Sequence, residues 1–144
     1  MAEKKNVGQT VLGCSVIGTD EDLYKYPADQ VNLVNGIGYI GKNKNRENAY
    51  KRFKELGYIF EKIIHPNAMI ADDVQLGEGA QVMAGSIVQV GSVLNGNCII
   101  NTNTSVDHDC VIGNDVHLAP GVTVCGKVHI GSYMNFTANR HSRG

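Results

Sequence analysis

From Ile64 onward, every sixth residue of this chain is apolar. The series runs Ile64, Ile70, Leu76, Val82, Val88, Leu94, Ile100, Val106, Ile112, Leu118, Val124, Ile130 and Phe136, thirteen positions without a break. With 42% of all residues hydrophobic, chance supplies such a run roughly once in 10⁵ trials. A period of six does not fit an α-helix with its 3.6 residues per turn. It is a multiple of the strand period of two, but it runs over far more residues than one strand holds. A fixed short period sustained this long is the signature of a repeat architecture.

A second series sits two residues before each anchor from Ile70 on. It holds Ala68, Val74, Ala80, Ser86, Ser92, Cys98, Thr104, Cys110, Val116, Val122, Val128 and Met134, mostly small side chains. Each hexad therefore reads as one short strand and one turn, and three hexads make a triangular coil of eighteen residues. Coils stack at the spacing of parallel strands, about 4.8 Å. The anchor points into the prism above the anchor eighteen residues earlier, as Val82 above Ile64 and Ile100 above Val82. Small residues fit beside it, and Gly and Asn serve the corners that need positive φ. The expected architecture is a parallel β-helix of a little over four coils. Aromatic residues make up only 6% of the chain and Trp is absent, as befits a core of stacked aliphatics.

Residues 1–63 lack the repeat. Val11 to Gly18 suggests a strand running into a Gly turn, and Thr19 with Asp22 resembles a capping box opening a short helix. Val31 to Gly38 reads as a buried strand. Asn45 to Leu56 reads as a helix with Ala49, Tyr50, Phe53 and Leu56 on one face, closed by Gly57. Gly36, Gly38 and Gly41 spell one G-x-G-x-x-G, more simply read as a turn before the Asn45 helix than as a dinucleotide loop. The order is that of a small α/β cap on the solenoid: residues 1–63 the cap, 64–139 the β-helix, 140–144 a polar tail.

Charge excludes some classes of function. The chain has 144 residues, 13 basic and 14 acidic side chains and a net charge of -1, so nothing points to nucleic acid. No apolar run follows the N-terminal lysines and no stretch of about 18 apolar residues exists, so neither a signal peptide nor a membrane span is expected. The four cysteines, Cys14, Cys98, Cys110 and Cys125, form no C-x-x-C pair. They read as buried reduced thiols of a cytoplasmic protein.

The richest motif is Ile100-Asn101-Thr102, then Val106-Asp107-His108-Asp109-Cys110-Val111-Ile112-Gly113, then Val116-His117-Leu118-Ala119-Pro120-Gly121, and Gly126. With Gly18 to Leu23, Val34 to Gly38, and Ile64-His65-Pro66, it resembles the hexapeptide-repeat sugar O- and N-acetyltransferases. These include the sialic acid O-acetyltransferases and the UDP-4-amino-sugar N-acetyltransferases. The resemblance covers roughly Val11 to Gly131. It implies a left-handed winding of the β-helix, a homotrimer with active sites between adjacent prisms, acetyl-CoA in the groove between them, and a sugar or nucleotide-sugar acceptor. His108 matches the general base, with Asp109 or Asp107 orienting its ring. Asn101 and Asp107 fall near the acceptor, His117 near the acetyl group, and Gly126 where the cofactor arm passes. The family opens with a G-x-G-G-H turn and continues several hexads beyond Ile130. The resemblance therefore implies a member shortened at both ends, with the tail from Arg140 to Gly144 covering the last coil.

Those residue types suit the chemistry. An amine or hydroxyl attacking a thioester must shed a proton. A histidine with an ordinary pKa of about 6.5 can take it at neutral pH, worth about 10²–10⁴ in rate. A carboxylate on the other ring nitrogen fixes the tautomer. A backbone N–H or His117 is the expected donor to the developing oxyanion. His108 and His117 are half a coil apart, so a site joining them needs two subunits. Two other readings compete. One is a non-catalytic trimeric β-helix. The other is a zinc hydratase of the γ-carbonic anhydrase type using His108, His117 and either His129 or His141. His65, before Pro66, reads as a structural turn residue.

Overall fold

The computed structural model describes residues 6–39 and 43–137. Gly41, His141 and the 140–144 tail lie outside the described residues. From Ile63 onward the hexads form two-residue strands on three faces of a prism. The first face carries β5 (Ile63–Ile64), β8 (Gln81–Val82), β11 (Ile99–Ile100), β14 (His117–Leu118) and β17 (Asn135–Phe136). The second carries β6 (Met69–Ile70), β9 (Ile87–Val88), β12 (Ser105–Val106) and β15 (Thr123–Val124). The third carries β7 (Gln75–Leu76), β10 (Val93–Leu94), β13 (Val111–Ile112) and β16 (His129–Ile130). All pairs between them are parallel, and each residue registers with the one eighteen positions on, as Ile100 with Val82 and Leu118. This is the expected parallel β-solenoid of about four coils.

The second residue of each strand points inward. Val82, Leu94, Ile100, Val106, Ile112 and Leu118 are fully buried. Ser86, Ser92, Cys98, Thr104 and Cys110, from the small series, share that interior. Their polar atoms reach the backbone of the next coil: Ser92 Oγ donates to the Asp107 carbonyl at 2.9 Å and Thr104 Oγ1 to that of Ala119 at 3.1 Å. Buried hydroxyls are thereby satisfied without a break in the stack. The first anchor, Ile64, remains 48% exposed because no coil covers it from below.

Every sixth residue from Gly79 to Tyr133 has positive φ. These are the corners, and Gly holds only four of them; Asn97, Asn103, Asp109, Asp115, Lys127 and Tyr133 take the left-handed conformation as well. Asn and Asp tolerate it because their short polar side chains bond locally. Two of them also bond each other across coils, Asn97 Nδ2 donating to Asp115 Oδ1 at 2.6 Å.

The N-terminal part matches the expected order with differences in detail. Val11 to Gly18 is not one strand but an antiparallel hairpin of β1 (Thr10–Val11) and β2 (Cys14–Ser15), turning through Leu12 and Gly13 at positive φ. The Thr19 segment opens a 3-10 helix at Asp20–Lys25, with Asp22 Oδ2 accepting the Thr19 N–H at 2.8 Å. The segment from Val31 holds only a two-residue strand, β3 (Asn32–Leu33), parallel to β4 (Ile59–Phe60). The helix α1 (Asn45–Glu55) is as expected, with Gly57 at φ +88 beyond its end. Phe53, Tyr58 and Phe60 form a small second core. Glu78 ties this cap to the solenoid, accepting the Phe60 N–H at 2.7 Å and Lys54 Nζ at 2.9 Å. Cys98 and Cys110 are buried, while Cys14 and Cys125 are exposed, contrary to expectation. Cys14 lies in the hairpin strand β2 and Cys125 just after β15, both outside the prism interior.

Candidate active site

His108 stands on the corner between the second and third faces, in the turn joining β12 to β13. Its backbone N–H donates to Asp107 Oδ1 at 2.8 Å, and its ring Nδ1 lies 3.0 Å from Asp109 Oδ2. Asp109 is thus the ring's carboxylate partner, and Asp107 holds the main chain. Asp109 reaches the ring from a left-handed corner residue at φ +57. His108 Nε2 has no hydrogen-bond partner among the described residues. Gly126, one coil on, lies against that ring: a Cβ there would come within 2.6 Å of Nε2. The glycine is required by the close approach, not by its own backbone conformation.

His117 begins β14 on the first face, the face opposite the His108 corner. Its side chain belongs to the outward column Ile63, Gln81, Ile99, His117 and Asn135. The cap covers the middle of this column, leaving Gln81 and Ile99 buried and His117 half-buried at the rim. Asn101 Oδ1 accepts the Thr102 N–H at 2.8 Å, so its Nδ2 faces His117 Nε2 at 3.2 Å. An amide NH2 can only donate, so Nε2 accepts and the proton sits on Nδ1. There it meets Asn135 Oδ1 at 3.0 Å. Burial pushes the His117 pKa below its ordinary 6.5, with the Arg46 charge acting the same way and the Asn135 bond opposing. Tyr39 stacks on the ring at 5.3 Å between centroids and 22° between planes.

The expected residues therefore fall in two places. His108, Asp107, Asp109 and Gly126 share one corner; Asn101 and His117 share the opposite face. Both ring nitrogens of His117 are engaged within this chain, Nε2 by Asn101 and Nδ1 by Asn135. A groove of about 360 Å³ runs beside His117 and Asn101, walled by the cap segment 35–39 and by Gln81, Met83 and Ile99. Tyr39, Asn135 and Gln81 were not singled out by sequence; stepping eighteen residues from His117 finds Asn135, while Tyr39 lies outside any repeat. His65 Nδ1 accepts the Asn67 N–H at 3.0 Å, closing a turn. His129 is exposed on the third face. Among the described residues no three His, Cys, Asp or Glu side chains converge as metal ligands.

No protein-family model and no curated protein matches the chain. Solved structures do. The acetyltransferase domain of PglB from Neisseria gonorrhoeae FA1090 superposes with a TM-score of 0.77 at 28% identity, over 92% of this chain and 72% of that one. The same domain in complex with acetyl coenzyme A gives 0.75 at the same identity and coverage. PerB from Caulobacter crescentus, in complex with CoA and GDP-perosamine, gives 0.64 at 27% identity, over 90% of this chain and 73% of that one.

The chain has the architecture of a sugar acetyltransferase. At 90–92% of the chain, the structural likeness takes in most of the cap as well as the solenoid. Among the described residues no helix is long and apolar enough to cross a membrane.

Proposed function

We propose that this chain is an acetyl-CoA-dependent N-acetyltransferase acting on an amino group of a nucleotide-linked sugar. The observation that carries the reading is the His108–Asp109 pair, with Nδ1 on the carboxylate at 3.0 Å and Nε2 without a partner above Gly126. Asp109 holds the Nδ1–H tautomer, which leaves Nε2 able to take a proton. As the acceptor nitrogen forms its bond to the thioester carbonyl carbon, it loses a proton to Nε2. The carbon–sulfur bond breaks, and the thiolate leaves to be protonated as CoA. The free N–H of Asn101 is the donor to the carbonyl oxygen as it gains charge.

His108 and Asn101 lie on opposite sides of one prism, so this chemistry requires the corner of one copy against the first face of another. A closed homotrimer of side-by-side prisms provides three such contacts. Support for the substrates comes from the solved neighbours, which hold acetyl coenzyme A, CoA and GDP-perosamine. The test is release of CoA thiol from acetyl-CoA with a panel of nucleotide-linked amino sugars, GDP-perosamine among them. Turnover with one member, reduced about 10²–10⁴-fold in His108→Ala, is expected. Saturable acetyl-CoA binding without turnover on any acceptor would favour a non-catalytic β-helix instead.

A further inference from the structure

Arg46 is the second residue of α1 and is 5% exposed. Its Nη1 donates to the carbonyls of Asn35 and Ile37, both at 2.8 Å. Its Nε and Nη2 are buried without partners among the described residues. Burial draws the guanidinium down to about 10. A buried cation with two idle donors is costly, and an apolar side chain of similar shape would pack there more cheaply. What the apolar side chain would lose is the clamp on two carbonyls of a segment with no regular structure of its own.

The rest of the network grips the same segment. The Asn35 carbonyl also accepts Gln81 Nε2 from the solenoid at 2.7 Å. Asn35 Nδ2 donates to the Arg46 carbonyl at 3.1 Å and to Asn97 Oδ1 at 3.2 Å, and Asn35 Oδ1 accepts the Ile37 N–H at 3.2 Å. Two residues past the second clamped carbonyl, Tyr39 lies on the His117 ring. Segment 35–39 is therefore one wall of the groove beside His117, and its shape is set from behind by a side chain that does not itself line that groove.

We infer that Arg46 is a positioning residue, holding segment 35–39 so that Tyr39 covers His117 and the groove keeps its width. The consequence for acetyl transfer rests on the function proposed above; the positioning itself does not.

The test uses the full chain without substrate. Proton–carbon correlation spectra report the His117 ring, whose protons are shielded by the stacked Tyr39 ring. Tyr39→Leu supplies the unshielded reference. Arg46→Met is expected to lose at least half of the shielding while the solenoid signals stay in place. Arg46→Lys, whose ammonium can donate to both carbonyls, is expected to restore it. A purely structural role would lower the melting temperature of Arg46→Met and leave the His117 shift unchanged in the folded protein, and that result would overturn the inference. Should Arg46→Met fail to fold, Arg46→Gln is read in the same way. Its single amide NH2 does not span both carbonyls, and an unmoved His117 shift there counts equally against the inference. Because the readout is independent of catalysis, failure of the positioning and failure of the acetyltransferase reading remain distinguishable.

Discussion

Asn101 donates to His117 Nε2 at 3.2 Å because the Thr102 N–H holds the other end of its amide. One backbone N–H thus fixes an amide orientation, and the amide, donating to Nε2, selects the tautomer with the proton on Nδ1. Replacing the donor with an acceptor should reverse the effect. Asn101→Asp puts a carboxylate beside Nε2, which favours the imidazolium. The His117 titration midpoint, followed by NMR, is expected to move up from its depressed value. An unchanged or lower midpoint would mean that this contact does not govern the ring.

The depressed His117 value also sets the sign of a pH effect on stability. Its cause is chiefly burial, so the unfolded chain binds the proton more readily than the folded one. The stability contribution is complete above the unfolded value of about 6.5 and is lost as pH falls below it toward the folded value. Urea midpoints measured from pH 7.5 down to 5 should fall, and His117→Gln should flatten that fall. Equal slopes in both proteins would contradict the linkage.

Anchor burial predicts a gradient of sensitivity along the solenoid. Ile100 is fully buried between two coils, whereas Ile64 is 48% exposed on the first. Ile100→Ala is expected to cost about 2–5 kcal/mol and Ile64→Ala well under half of that. Equilibrium urea unfolding measures both.

The corner at Gly126 predicts a loss of function without a loss of fold. Gly126→Ala drives a Cβ to within 2.6 Å of His108 Nε2, and the ring must move. A displacement near 1 Å is enough to cost about 10²-fold in turnover. Gly121→Asn is the control. Gly121 sits at φ +72 with nothing within 4 Å of a Cβ, and Asn already holds the same corner conformation at Asn97 and Asn103. It should keep both stability and turnover.

The solenoid was legible in the sequence because one period governs it. Inward anchors, small interior residues and corners all recur every six positions, so Ile100 and Leu118 could be placed without a structure. The His108 corner was legible from its own motif, though the spacing alone did not choose Asp109 over Asp107 for the ring. The cap is less legible. Short irregular segments such as 35–39 take their shape from contacts distant in sequence, here Arg46 and Gln81. No local pattern announces a buried arginine or the stacking of Tyr39 on His117. The tautomer of His117 likewise depends on Asn101 and Asn135, which meet it only because coils stack in register.

Acetyl transfer as proposed needs His108 from one copy and Asn101 from another. His108→Ala and Asn101→Ala protomers, each expected to be weak alone, can be unfolded, mixed in equal amounts and refolded together. In a randomly assorted closed ring, about one contact in four pairs an intact His108 with an intact Asn101. CoA release by the mixture should rise well above either variant, toward a quarter of the unmutated rate. A mixture that assembles yet shows no more activity than its two components would contradict a site shared between copies.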